Sequence, residues 1–121
     1  MTHYLDFSMD LNVFNADAKT IVFNTIKEGA EANIEFVKID WRNKTQQVLD
    51  YCFKNNLASI IIEGGTNTIY NFTNANVWDE ARVFINPNKK FEHGIIAPDM
   101  QLDQSAPQKI GSDLLYTFLN K

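Results

Sequence analysis

The residues best suited to chemistry stand in one run, Ile60-Ile61-Ile62-Glu63-Gly64-Gly65-Thr66-Asn67-Thr68. Two adjacent glycines follow an apolar, β-branched segment and precede a stretch of helical composition. Glycine lets the backbone approach a ligand closely and take positive φ. A helix start adds unpaired amides and the positive end of the helix dipole. Thr66 and Thr68 contribute hydroxyls. Beyond the carboxyl end of a strand in an open α/β sheet, such a turn suits a phosphate or pyrophosphate. The glycines alone are served equally well by a tight strand-to-helix turn, because they lack the spaced fingerprint of dinucleotide folds. Glu63 adds weight to the ligand: a carboxylate at the mouth of a central strand fits a ligand hydroxyl or the helix dipole better than a core.

Other candidates carry less. His3 and His93 lie far apart, with no Cys or carboxylate at ligand spacing, so no metal site is expected. Cys52 sits on the apolar stripe of a helix and reads as inert packing. Asp79-Glu80 reads as a solvated turn before a strand, and Trp41 and Trp78 as packing residues at strand boundaries. No Ser/His/Asp arrangement is visible.

These residues need elements to position them. Thr20-Ile21-Val22-Phe23-Asn24 is a short strand apolar on both sides, and Thr25 to Ala32 is weakly helical around Gly29. Ile34 to Asp40 is a second strand. A helix opens at Asn43, with Gln46 placed to complete a capping box, and carries Val48, Leu49, Cys52 and Phe53 on one face until Asn55-Asn56. Ala58-Ser59-Ile60-Ile61-Ile62 lacks alternation, as a buried, central, parallel strand does. A helix from Thr66 to Ala75 turns Ile69, Phe72 and Ala75 inward, and Asp79 to Asn86 forms a strand stopped by Pro87. Asn88 to Ser112 is an irregular excursion, and Leu114 to Leu119 is a final edge strand. This order predicts an α/β, three-layer fold: a mainly parallel sheet with helices on both faces.

The 121 residues amount to one domain, 1–121. Hydrophobic residues make up 45% of them, enough for a packed core rather than a disordered chain. The net charge of −4 leaves no basic patch for nucleic acid. A single cysteine fits a reducing, cytoplasmic setting, and no apolar run spans a membrane or forms a signal peptide.

The stretch from Ile60 to Pro87, IIIEGGTNTIYNFTNANVWDEARVFINP, resembles the C-terminal reductase domain of the bifunctional riboflavin-biosynthesis deaminase/reductase. In that family a strand ending in E-G-G leads into a helix, a short turn, then D-E and a strand ending in A-P or N-P. Leu11-Asn12-Val13-Phe14-Asn15 with Thr20 to Asn24, and the closing Lys109-Ile110-Gly111-Ser112-Asp113-Leu114, extend the likeness to nearly the whole chain from about Asp10. E-G-G is weakly specific; joined to D-E-x-R-x-x-x-x-P it is considerably stronger.

The resemblance implies a dihydrofolate-reductase-like fold, NADPH as cofactor, and reduction of the ribosyl group of a phosphorylated aminopyrimidine, a phosphoribosylaminouracil, to a ribityl chain. Glu63 matches the family's substrate-binding acid. Gly64 belongs to the same turn, and Gly65, Thr66, Asn67, Thr68, Ile69, Tyr70 and Asn71 match the stretch lining the NADP phosphates. Asn24 matches a further cofactor contact. Against the family pattern the deaminase domain and the first part of the reductase domain are missing. The chain is therefore expected to be a truncated, incomplete piece of the fold, carrying half a cofactor site and inactive alone. Its open edges would favour a homodimer. The alternative is an inactive fragment serving at most as an anion-binding, nucleotide-binding or self-associating module.

Overall fold

The computed structural model describes residues 8–98 and 106–120. The chain divides into two compact units, Met1–Ile60 and Ile61–Lys121.

In the first unit, β1 (Thr20–Asn24) pairs parallel with β3 (Ile34–Lys38), and β2 (Gly29–Glu31) pairs antiparallel with β3 on its other side. The register sets Val22 beside Phe36, and these two residues with Ile34 form the buried core, closed by Phe14 from a short 3₁₀ turn. α1 (Lys44–Lys54) turns Tyr51 onto β1 and β3. The Tyr51 ring meets Phe23 edge-on at 5.2 Å, and its hydroxyl donates to Glu35 at 2.9 Å. Lys19 completes the cluster with an ion pair to Glu35 at 2.6 Å. The bonds from Lys19 first, and then from Tyr51, hold the Glu35 carboxyl below its ordinary range. Burial and the bond to Glu35 push the Tyr51 hydroxyl up.

Asn24 is fully buried at the end of β1. Its Oδ1 accepts from the amides of Ile26 at 2.9 Å and Lys27 at 2.6 Å, and its Nδ2 donates to the carbonyls of Val22 and Lys27 at 3.1 and 3.0 Å. One side chain thus closes the turn that sends the chain from β1 into β2. This is why Thr25 to Ala32, expected as weak helix, becomes a turn and a strand. Ala32, at φ +53°, and Asn33 then form the two-residue reversal into β3.

α1 forms as expected, but its entry differs. Asn43 makes no side-chain cap, and Gln46 bonds Asp50 at 2.8 Å rather than reaching back. The cap lies three residues earlier: Asp40 accepts from the Arg42 amide at 3.0 Å and opens a 3₁₀ turn, Trp41–Asn43, that feeds the helix. Gln47 ties that entry down by donating to the Asp40 carbonyl at 3.0 Å. On the apolar stripe Val48 and Cys52 are buried, whereas Phe53 stands 86% exposed. Burial pushes the Cys52 thiol up, consistent with an inert packing residue. The helix leaves through left-handed Asn56 at φ +56°, with Asn56 N–H donating to the Phe53 carbonyl and Leu57 N–H to the Cys52 carbonyl.

The second unit holds α2 (Thr66–Asn74) and a sheet ordered β4 (Glu80–Ile85), β6 (Asp113–Leu119), β5 (Gln108–Ile110), all antiparallel. Phe72 and Phe118 are its buried aromatics. α2 ends in the same way as α1, through Asn76 at φ +54°, with bonds to the carbonyls of Thr73 and Phe72. Asn120 donates to the Trp78 carbonyl at 2.8 Å, which fastens the end of β6 to the start of β4. β5 lies inside the stretch expected to be irregular; a two-residue Gly111-Ser112 turn folds it onto β6. Residues 99–105 of that stretch, and His3, lie outside the described residues.

The expected three-layer architecture, with one mainly parallel sheet and helices on both faces in an incomplete dihydrofolate-reductase-like arrangement, is overturned. Among the described residues, parallel pairing is confined to β1 and β3, within two small three-stranded sheets. Two physical causes account for this. β2 occupies the outer edge of β3, so the parallel pair cannot grow on that side. Ala58–Ile62, expected as the central strand, joins no ladder among the described residues, and the division between the units falls within it. A strand without a neighbour has no partner for its backbone groups and does not form.

Replacing Asn24 with Ala strands the turn amides without an acceptor. Chemical denaturation should show a loss of about 2 kcal/mol, whereas an exposed control such as Asn12→Ala should change stability by less than about 0.5 kcal/mol. The acid limb of stability is also specified. Arg42, through its side chain and its amide, holds the Asp40 carboxyl down to about 2 from the ordinary 3.8. The stabilisation from Asp40 is therefore full above 3.8 and lost as pH falls toward 2. Glu35 behaves alike, losing its share as pH falls below the ordinary Glu range. Thermal melts of D40N and E35Q should show a flatter decline across that window than the parent chain.

Candidate functional site

Glu63, Gly64 and Gly65 are exposed and lead directly into α2. Gly65 is the residue flanking the helix, with φ +45° and ψ 138°, a backbone region that side-chain-bearing residues rarely enter. A Cβ placed on Gly64 or Gly65 would meet nothing within 4 Å, so the space in front of the turn is open. The Gly65 carbonyl accepts from the amides of Thr68 at 2.9 Å and Ile69 at 3.2 Å, which starts the helix. No side chain caps the turn. The amides of Thr66 and Asn67 thus head a nine-residue helix, in the first turn where N–H groups lack a partner within the helix.

Within this stretch the side chains differ in their freedom. Thr66 is half-buried, and its hydroxyl donates to the Ile96 carbonyl at 3.0 Å. Asn67 is exposed, while Thr68, Ile69, Tyr70 and Asn71 are half-buried along the first turns of α2. Gly64 to Asn71 therefore form one continuous loop-and-helix surface, with Glu63 at its entrance. Asn24 belongs to the other unit, and the atoms of its side chain are taken up by the turn after β1, so it acts there as a structural clamp.

The donor set is of a kind that suits a nucleotide's phosphates: main-chain amides at the positive end of a helix, beside two glycines with open space at their Cβ positions. The participant that sequence reasoning missed is the Ile96 carbonyl. A main-chain oxygen contributed by a distant loop carries no residue-type signal, so nothing in the sequence marks it. Among the described residues, no group of His, Cys, Asp or Glu is placed to hold a metal ion, and no helix is long and apolar enough to cross a membrane.

No curated protein and no solved structure matches the chain. A family model described as the RibD C-terminal domain matches residues 1–88. That span takes in β1 to β4, both α-helices and the whole Glu63 to Asn71 stretch, and it leaves out β5 and β6. It begins earlier than the motif likeness from Asp10 and stops short of the closing Lys109 to Leu114 segment. With most of its length matched, the chain belongs to the RibD C-terminal domain family, the reductase domain of riboflavin biosynthesis.

Proposed function

We propose that this chain binds NADPH through Gly64 to Asn71 and serves reduction of the ribosyl group of a phosphorylated aminopyrimidine to a ribityl chain. The observation that carries this reading is the open, positive-φ Gly65 turn at the head of α2, inside the stretch that the family model covers. NADPH, when bound, supplies the hydride. The amides of Thr66 and Asn67 hold a phosphate of the cofactor, where the helix dipole favours negative charge. The half-buried flank of α2, from Thr68 to Asn71, gives the rest of the cofactor a surface to lie against. Glu63, exposed beside the turn, accepts hydrogen bonds from substrate hydroxyls and so orients the sugar. Two copies associate in this reading. Its support is the β-branched Ile60-Ile61 pair, which joins no ladder among the described residues, with Ile61 87% exposed.

Calorimetric titration should detect NADPH binding, and absence of heat at millimolar cofactor would remove the reading. G65A forces a side chain into a conformation costing about 1–3 kcal/mol, so the turn rearranges and NADPH should bind about tenfold or more weakly. E63Q should leave NADPH affinity within about twofold yet lower turnover of the sugar substrate by about tenfold or more, because it removes a charged acceptor. For association, sedimentation velocity should show a concentration-dependent dimer that I61K shifts to monomer. A monomer at every concentration would end that part of the proposal.

A further inference from the structure

We infer that the outer edge of β4 pairs antiparallel with the same edge of a second copy of this chain, in the register that sets Ala81 beside Ala81 of the partner subunit. This rests on the reading that two copies associate, and it names the strand that aligns them. β4 lies at one side of its sheet, and no strand borders its outer side among the described residues. The Asn120 amide donates to the Asp79 carbonyl at 2.8 Å, one step beyond the Glu80–Leu119 pair. Hydrogen-bonding direction alternates along an antiparallel strand. The backbone groups of Ala81, Val83 and Ile85 therefore face β6, and those of Glu80, Arg82 and Phe84 point to the open side. The usual obstacles to pairing at such an edge are missing. β4 carries no Pro and no Lys, and its six-residue register with β6 is unbroken by a bulge.

Charge selects both the partner and the register. Arg82 and Glu80 lie on the exposed face of β4 with their side chains 66% and 39% exposed, and they meet each other at 2.5 Å. Phe84 shares that face and is 59% exposed. A two-fold pairing centred on Arg82 would set two guanidinium groups opposite each other, which opposes association. Centred on Val83, it would set Arg82 against the partner's Phe84 and carry Glu80 past the end of the partner strand. Centred on Ala81, it sets Glu80 of each copy opposite Arg82 of the other. The four charges then form a square with unlike signs at adjacent corners, and each Glu80–Arg82 pair exchanges two backbone bonds across the seam. A seam of two strands is marginal alone in water. Burial of exposed apolar side chains, for which Phe84 and Ile61 of the same unit are available, supplies the rest.

Sedimentation velocity of the full chain and its charge variants tests this without any assay of activity. E80R leaves each β4 with two basic residues and R82E with two acidic ones, so either variant alone should associate about tenfold or more weakly than the parent chain. An equimolar mixture of the two should regain a dimer holding one copy of each, because every facing pair is again of unlike charge. That recovery also shows that both variants fold. For the register, mild oxidation of A81C should give a disulfide-linked dimer, since facing Cβ atoms stand about 5 Å apart. V83C lies about 13 Å from its counterpart and should stay unlinked. The native Cys52 is buried and common to both variants. A mixture no more associated than its components, or a link at V83C in place of A81C, would overturn the pairing. A parent chain that is monomeric at every concentration removes the association and this pairing with it. A parent dimer whose strength E80R and R82E leave unchanged ends the pairing while the association stands.

Discussion

A backbone amide or carbonyl removed from water must find another partner, and in this protein asparagine side chains supply many of those partners. The buried apolar residues are few and mostly single contributions from each element, so the cores do not by themselves dictate the path of the connections. Asn24 closes the turn after β1. Asn33 donates to the carbonyls of Asn15 and Ala18, pinning the approach to β1 against the start of β3. Asn86 reaches Ser112 and Asp113 across the sheet, and Asn120 secures Trp78. Among the described residues no buried side-chain polar atom lacks a partner. Small sheets survive here because local amide clamps replace what a larger core would enforce.

This dependence explains which elements could be read from the residues. α1 and α2 were legible because amphipathic spacing repeats over several turns and their ends are marked by Asn or Gly. β1, β3, β4 and β6 were legible from β-branched and aromatic runs. β2 was not, since Gly29-Ala30-Glu31 has no strand composition; it is a strand only because Asn24 folds the preceding turn so that the chain meets β3. Ala58–Ile62 shows the converse. Its residues have every preference for a strand, and yet the neighbour that would make it one is not among the described elements. Pairing is a property of two segments, and only one of them is visible in any local window. The helix entry shows the same principle on a smaller scale: Asn43 and Gln46 have the spacing of a capping box, but Asp40 takes the cap first.

The turn from Glu63 into α2 was more legible than the fold around it. Consecutive glycines before a helix restrict the backbone strongly enough that the open turn at Gly65 follows from the residue types. The family relationship rests on a match over residues 1–88, which takes in this stretch, and it survives the correction to the architecture because it is carried by the order of residues along the chain rather than by the arrangement of the sheets. Asn24, matched by position to a cofactor contact, has its amide engaged within its own turn and is completely buried.

The matching exits of the two helices have a consequence for the order in which the chain assembles. Asn56 and Asn76 each adopt a left-handed conformation and close the same pair of bonds onto the last helical turn. These closures span five residues or fewer and need nothing from a sheet, so the loss of chain entropy on forming them is small. Each helix with its exit is therefore suited to nucleate early, leaving the long-separation pairing of β4 with β6 as the slow step. Asparagine at these positions tolerates the conformation at lower cost than a branched residue would, and in that way these two residues bear on folding speed as much as on final stability.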